Sequence, residues 1–182
     1  MKKKSYIVLD LDDCYLDFIA HACSIHYHLT GEKIDREEIT EWALPDGLYK
    51  TCTDYTDLIH ASQRTLPKVL DRLNKFKKDG YGILFMTARD EVHRRTTEFN
   101  LAFNKTSYDK LFFNKNKSLK INRLSEEYNI VLFADDKTST INNVKKNTDV
   151  KYVYLINTPA NRNDEVEEGV IRINNLNEIK EV

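Results

Sequence analysis

The fold is decided by one stretch near the start of the chain, Tyr6-Ile-Val-Leu-Asp10-Leu-Asp12-Asp13-Cys14. Its apolar residues run directly into a cluster of carboxylates, which is typical of a buried parallel strand that delivers acidic groups to its end. In open α/β sheets, ligands bind beyond the carboxyl ends of the strands. We therefore predict that Asp10, Asp12 and Asp13 line a crevice at one edge of a sheet.

A second stretch repeats this design later in the chain. The apolar run Ile130-Val-Leu-Phe-Ala134 ends in Asp135 and Asp136. Carboxylates that meet at one edge of a sheet repel one another unless they share a cation. Because Mg²⁺ prefers oxygen ligands and keeps positions for water and a substrate phosphate, the pattern predicts a magnesium site.

A third apolar run supplies groups of the opposite kind. The residues Tyr81-Gly-Ile-Leu-Phe-Met86 are followed by Thr87, Ala88 and Arg89. Hydroxyl and guanidinium groups donate hydrogen bonds to phosphate oxygens. We therefore expect a phosphate group to bind near Thr87 and Arg89.

The order of these motifs resembles that of the haloacid dehalogenase (HAD) superfamily of phosphatases. Its four motifs are matched by Asp10-Leu-Asp12, by Thr87 after an apolar strand, by a lysine before a helix, and by Asp135-Asp136. Within the superfamily, the chain is similar to the small 5'(3')-deoxyribonucleotidases and to related bacterial and phage nucleotidases. That similarity rests on Asp17-Phe18, Thr87-Ala-Arg89, Tyr108-Asp-Lys-Leu111 and Asn157-Thr-Pro-Ala-Asn161-Arg162.

One position departs from the family pattern. The glycine that usually follows the second aspartate is Asp13 in this chain. The resemblance is also loose over residues 29–64. The conformation of the turn at Asp13 is therefore left open.

The resemblance implies a role for each motif residue. Asp10 is then the nucleophile that forms an aspartyl-phosphate. Asp12 protonates the leaving oxygen and afterwards takes a proton from the attacking water. Asp10, Asp12 through its backbone carbonyl, Asp135 and Asp136 would hold Mg²⁺. Thr87 would donate a hydrogen bond to a phosphate oxygen.

The family also implies a lysine that balances the charge of the acids. Lys115, Lys117 and Lys120 are the candidates. We choose Lys117, because it comes just before the helix predicted from Ser118, so that its ammonium and the helix N-terminus face the same anion. Lys115 is the reserve.

Length and periodicity indicate one domain with an insertion. The chain has 182 residues, of which 41% are hydrophobic, enough for one well-buried core. Strands alternating with helices predict an α/β fold with a mainly parallel sheet flanked by helices. The resemblance implies that this fold is the HAD-like Rossmann arrangement. Residues 1–14 and 65–182 form the predicted core, to which residues 170–173 are expected to add an edge strand and residues 176–179 a closing helix. Residues 15–64, with helices expected over 15–29, 35–42 and 54–62, form a small helical cap.

Aromatic side chains of the predicted cap are candidates for holding a nucleobase. Phe18 is the best of them, because it matches the Asp-Phe pair of the nucleotidases, and Trp42 and Tyr49 come next. Such rings stack on any base face. The alternative is that they form the core of the cap. Arg89 is the candidate for binding the phosphate of the substrate.

Composition gives no support to other classes of partner. The net charge is −1 and the acids and bases are interspersed, so composition gives no case for a nucleic acid or membrane partner. No signal-peptide pattern follows the basic start, and no window has transmembrane length. The three cysteines lack metal-like spacing, and their odd number argues against a set of disulfides, which favours a reducing compartment. We expect a cytoplasmic protein, with a homodimer left open.

These observations predict a Mg²⁺-dependent phosphomonoesterase that acts on a nucleoside or deoxynucleoside monophosphate. One rival is a polynucleotide 3'-phosphatase of nucleic-acid end repair, which near-neutral charge and a cap disfavour, since a strand-tracking groove is basic and open. The other rival is a non-catalytic HAD-like binding module. The complete set of acids disfavours it, because unused buried carboxylates are costly.

Overall fold

The central element of the fold is a parallel sheet. The computed structural model describes residues 4–41, 43–180 and 182. Within them, six strands form one sheet: β1 (Ser5–Leu9), β2 (Gly82–Thr87), β3 (Lys110–Phe113), β4 (Asn129–Asp135), β5 (Tyr152–Ile156) and β6 (Val170–Ile173). Their spatial order is β3-β2-β1-β4-β5-β6, and each neighbouring pair is parallel. This confirms the predicted α/β class and the edge strand at residues 170–173.

Helices connect the strands and cover the sheet. The α-helices of the described residues are α1 (Phe18–Thr30), α2 (Asp46–Asp54), α3 (Thr56–Ser62), α4 (Val69–Lys78), α5 (Arg94–Phe103), α6 (Lys117–Ser125) and α7 (Thr138–Asn147). Shorter 3₁₀ turns span Arg36–Glu38, Glu91–His93, Pro159–Asn161 and Leu176–Glu178. None of the helices in the described part of the chain is long and apolar enough to span a bilayer.

Alternate residues of β1 point to opposite faces of the sheet. Ile7 and Leu9 belong to the hydrophobic cluster on the face covered by α4 and α5. Val8 belongs to the cluster on the other face, which α6 and α7 cover. Because both faces are buried, Ile7, Val8 and Leu9 are all apolar, and the first charged residue, Asp10, follows the end of the strand.

The helical segment between β1 and α4 has a small hydrophobic cluster of its own. Its buried members come from α1, α2, α3 and the loop between α1 and α2, and they are Ala22, Cys23, Ile39, Leu48 and Ile59. Helix α3 packs against α5 of the sheet region. The segment thus has a small hydrophobic core of its own and also packs against the sheet region.

The start of this segment differs from its predicted form. The helix expected from residue 15 begins at Phe18. Tyr15 and Leu16 instead lie in a tight turn, where both backbone N–H groups donate to the Leu11 carbonyl at 2.9 and 2.8 Å. Helical periodicity among apolar residues did not distinguish this turn from the helix that follows it.

Three further helix predictions were wrong in detail. The helix expected over residues 35–42 is reduced to the 3₁₀ turn Arg36–Glu38, in which the Asp35 side chain accepts from the Glu37 N–H at 3.0 Å. No helix was predicted over residues 46–53, where α2 begins directly after Pro45, because proline is tolerated where a helix starts. The closing helix at residues 176–179 is a 3₁₀ turn.

Phe85 of β2 provides a test of this packing. It is fully buried, and its ring centroid lies 4.9 Å from that of Tyr15 and 5.7 Å from that of Tyr108. Phe85→Ala should lower the free energy of unfolding by about 3–5 kcal/mol, because it leaves a cavity. The matched control Phe103→Ala, whose side chain is 65% exposed, should change it by less than about 0.5 kcal/mol. Urea unfolding of both variants measures this, and equal losses would contradict the packing described.

Candidate active site

Strand register brings the two acidic strand ends together. Leu9 of β1 pairs with Ala134 of β4, so Asp10 and Asp135 follow at neighbouring positions. The Asp10 N–H donates to the Ala134 carbonyl at 2.9 Å. After β1 the chain adds β2 and β3 on one side of that strand, and it then adds β4, β5 and β6 on the other side, so the strand order reverses between β1 and β4. This is the position at which doubly wound α/β folds bind ligands.

Three carboxylates converge at this edge. One oxygen from each of Asp10, Asp135 and Asp136 lies within 4.8 Å of the others, and all three side chains are buried. Burial raises the pKa of Asp10 to about 7, with the charge of Asp135 adding to the effect and Lys117 opposing it. Burial and then the charge of Asp135 raise the pKa of Asp136 well above its ordinary value. Lys117 therefore compensates only part of the negative charge of these three acids.

Lys117 is the cation that the structure places among these acids. Its Nζ donates to Asp10 Oδ1 at 2.5 Å and to Asp135 Oδ2 at 2.6 Å. Burial acts against the charge of Lys117, but the two carboxylates outweigh it and raise the pKa of the ammonium. Lys115, the reserve candidate, has a side chain that is 72% exposed and pairs with Asp90 at 2.8 Å. The geometry therefore favours Lys117 over Lys115.

Asp12 is held apart from the other acids. Its Oδ2 accepts from Arg89 Nε at 2.9 Å, and its Oδ1 accepts from Arg89 Nη2 at 2.5 Å. Gln63 Nε2 also donates to Asp12 Oδ1, at 3.3 Å. Burial acts against ionisation of Asp12, but the Arg89 guanidinium brings its pKa below the ordinary value.

Thr87 and Arg89, predicted to contact phosphate, occupy different positions. Thr87 is buried at the end of β2 and lines the cavity above the acids, and its Oγ1 accepts the Arg89 N–H at 3.2 Å. The Arg89 guanidinium is only 2% exposed and donates to Thr97 Oγ1 at 3.0 Å as well as to Asp12. Gln63, which accepts from Arg89 Nη2 at 2.6 Å, was missed because no spacing or motif in the sequence marks it.

Asp13 lies in a turn at the position where the family usually has glycine. Its φ of +50° lies in the left-handed region, which aspartate tolerates better than most residues. Its Oδ1 accepts from the Ile19 N–H at 3.2 Å, which satisfies a donor in the first turn of α1. Burial raises the pKa of Asp13 to about 7, although the nearby Arg36 opposes this.

The late motif at residues 157–162 holds the loop that carries Asp136. The amide of Asn161 is fully buried, and its Nδ2 donates to the carbonyls of Asp136 and Ile156 at 2.6 and 2.7 Å. Its Oδ1 accepts from the Thr158 N–H at 3.0 Å. The motif therefore ties the Asp136 loop to the end of β5.

A cavity of about 520 Å³ opens above the acids. Phe18 lines it, as predicted for a substrate contact, whereas Trp42 lies outside the described residues. Other lining residues come from the helical segment, from the loops after β3 and β4 and from α7, and they include Ile19, Leu44, Lys115, Lys137 and Thr140. Apart from Lys115, no sequence pattern singled these out, because they become neighbours only in the folded chain.

Comparison with known families decides the affiliation of the chain. The family described as HAD superfamily, subfamily IIIB (Acid phosphatase) matches residues 1–162. The chain belongs to this family. Its membership confirms the predicted HAD superfamily affiliation. A search of curated proteins finds no match for the chain.

Solved structures of HAD proteins resemble the chain over different spans. The class C acid phosphatase from Bacillus anthracis is 25% identical, with 77% of this chain and 54% of that chain covered and a TM-score of 0.57. Its structure with tungstate bound is 23% identical, with 75% and 53% covered and a TM-score of 0.52. The chain thus spans about half the length of this phosphatase.

A second likeness covers almost the whole chain. A haloacid dehalogenase-like family hydrolase from Streptococcus pneumoniae is 14% identical, with 94% of this chain and 95% of that chain covered and a TM-score of 0.61. At this identity the likeness concerns the fold. It confirms the HAD-like Rossmann architecture expected from the sequence.

The contacts of Lys117 can be tested through stability. Lys117→Met should lower the free energy of unfolding by about 3–5 kcal/mol in EDTA, because it leaves Asp10 and Asp135 buried without their ammonium partner. The matched control Lys115→Met removes an exposed ion pair and should leave stability unchanged within error. Urea unfolding compares them. A loss for Lys117→Met no larger than that of the control would show that the buried bridge is absent in solution.

Proposed function

We propose that the chain is a Mg²⁺-dependent phosphomonoesterase that hydrolyses nucleoside or deoxynucleoside monophosphates. The observation that carries the proposal is a group of three buried acids at the floor of a cavity, Asp10, Asp135 and Asp136, two of which contact the buried ammonium of Lys117. Family membership supports the class of reaction. The resemblance to the small nucleotidases supports the class of substrate.

The acids fit a divalent cation. They offer three buried carboxylate oxygens within 4.8 Å of one another, against the single ammonium of Lys117 that contacts two of them. All-oxygen donor sets suit Mg²⁺. Asp10, Asp135 and Asp136 would hold the ion, together with the backbone carbonyl of Asp12. When bound, Mg²⁺ supplies positive charge that lets a phosphate dianion approach a carboxylate.

Four side chains of the chain carry the proposed reaction. Asp10 attacks phosphorus, so that a bond forms from its carboxylate oxygen while the ester oxygen leaves. Asp12 in its protonated form gives its proton to that oxygen, and the carboxylate that results takes a proton from the water that hydrolyses the aspartyl-phosphate. Lys117 balances the charge of the acids, and Thr87 donates its hydroxyl to a phosphate oxygen.

The cavity suits a phosphate joined to an apolar ring. Its volume of about 520 Å³ lies within the range of small-molecule sites, roughly 300–1,000 Å³. Phe18, Ile19 and Leu44 supply apolar surface from the helical segment, opposite in character to the acids of the floor. We therefore propose that residues 15–64 act as the cap that selects the base. Phe18 is the ring that stacks on the base, and Trp42 remains a candidate for substrate binding, as the sequence predicted.

The proposal also includes where the protein acts. The three cysteines are free thiols, and Cys14 and Cys23 are buried. Free thiols with no pairing pattern favour a reducing compartment, so we propose the cytoplasm.

A panel of phosphate esters tests the proposal. Phosphate release should occur from nucleoside 5'- or 3'-monophosphates with Mg²⁺ and should be lost with EDTA, because the acids then lack their cation. A 3'-phosphorylated oligonucleotide and simple sugar phosphates complete the panel. Release from the oligonucleotide alone would move the chain to nucleic-acid end repair. No release from any ester would favour the binding-module alternative.

A further inference from the structure

We propose that Arg89 and Gln63 are positioning residues that hold Asp12 in the orientation it needs to protonate the leaving oxygen. The inference rests on the proposed function, in which Asp12 is the general acid. It also gives the helical segment a second task, because Gln63 lies directly after the end of α3. The packing of that segment against the core then determines the position of Asp12, the proposed proton donor.

The contacts between the three side chains form a closed arrangement. Arg89 binds both oxygens of Asp12, through Nε at 2.9 Å and Nη2 at 2.5 Å. Gln63 contacts both partners, since its Nε2 donates to Asp12 Oδ1 at 3.3 Å and its Oε1 accepts from Arg89 Nη2 at 2.6 Å. Two parallel hydrogen bonds fix the plane of a carboxylate as well as its position. We call these three residues the Asp12 clamp.

Burial makes a direct role in substrate binding a poor explanation for the clamp. The Arg89 side chain is 2% exposed and Gln63 is fully buried, whereas Asp12 is 28% exposed. The third nitrogen of the guanidinium, Nη1, donates to Thr97 Oγ1 at 3.0 Å, so each nitrogen of the group has a protein partner. Arg89 and Gln63 therefore reach the reacting atoms through Asp12.

Gln63 is itself anchored to the core. Its backbone carbonyl accepts from Asn100 Nδ2 at 2.8 Å and from Asn104 Nδ2 at 3.0 Å. Asn100 belongs to α5, and Asn104 directly follows it. The clamp therefore lies where the helical segment rejoins the sheet region. A shift of α3 relative to α5 would move Gln63 and loosen its hold on Asp12.

The basicity of the leaving oxygen distinguishes a role in positioning Asp12 from a general role in stabilising the fold. A well-placed acid matters most when the leaving oxygen is strongly basic, as in an alkyl phosphate. It matters little for 4-nitrophenyl phosphate, whose nitro group stabilises the departing phenolate. Loss of the clamp should therefore slow the cleavage of benzyl phosphate much more than that of 4-nitrophenyl phosphate.

The experiment compares kcat/KM for these two esters with Mg²⁺ present. Arg89→Lys keeps the charge but loses the paired hydrogen bonds, and Gln63→Met keeps the shape but loses the amide. Each should lose about 10- to 100-fold with benzyl phosphate, a fraction of the 10²–10⁴-fold that a general acid supplies. With 4-nitrophenyl phosphate each should lose less than about threefold. Arg94→Lys, a surface change on α5 paired with Glu91, is the matched control and should change neither.

A double-mutant cycle adds a second readout. In an Asp12→Asn background, Arg89→Lys should cost no further activity with benzyl phosphate, because the group through which it acts is gone. Thermal unfolding of each variant checks that it is folded. If Arg89→Lys is unfolded, Gln63→Met is used in its place.

Two results would overturn the inference. Equal losses with both esters would show that the clamp is merely structural, and so would a full additional loss in the Asp12→Asn background. Absence of turnover by the wild-type protein with either ester is a different result. It would overturn the proposed function, and the positioning role with it.

Discussion

The buried contacts of Lys117 with Asp10 and Asp135 are the constraint on which the rest of the site depends. Burying several charges is costly unless they are paired closely and bonded to fixed partners. The pairing of β1 with β4 places the two acids side by side, and the start of α6 delivers the ammonium between them. The strand order therefore also determines where the charges lie, because the acids follow β1 and β4, the two neighbouring strands between which that order reverses.

The parts of the site attached to this contact come from distant segments of the chain. The Asn161 amide holds the loop of Asp136, and Asp13 joins the turn after β1 to the first turn of α1. The helical segment adds the apolar wall of the cavity and, through Gln63, a contact to Asp12. The core thus supplies the acids and Lys117, while the segment between β1 and α4 shapes their surroundings.

Much of this was predictable from sequence for a physical reason. Strands buried on both faces are uniformly apolar, so the first acids after β1 and β4 mark the edge of the sheet, and Lys117 could be chosen from its place at the start of a helix. The start of α1 was not predicted, because the local turn at Tyr15 interrupts helical periodicity, and α2, which begins directly after Pro45, was missed. The partnership of Arg89 with Asp12 was also missed, since it joins residues 77 positions apart.

The most direct test of the central claim is to trap the covalent intermediate on the acidic edge of β1. The protein is mixed with 4-nitrophenyl phosphate and Mg²⁺, quenched, and reduced with borohydride, which converts an acyl phosphate into an alcohol. Peptide mass spectrometry then locates the change. The account predicts modification of Asp10, and neither modification nor turnover in Asp10→Asn. Modification at another residue, or full activity of Asp10→Asn, would contradict it.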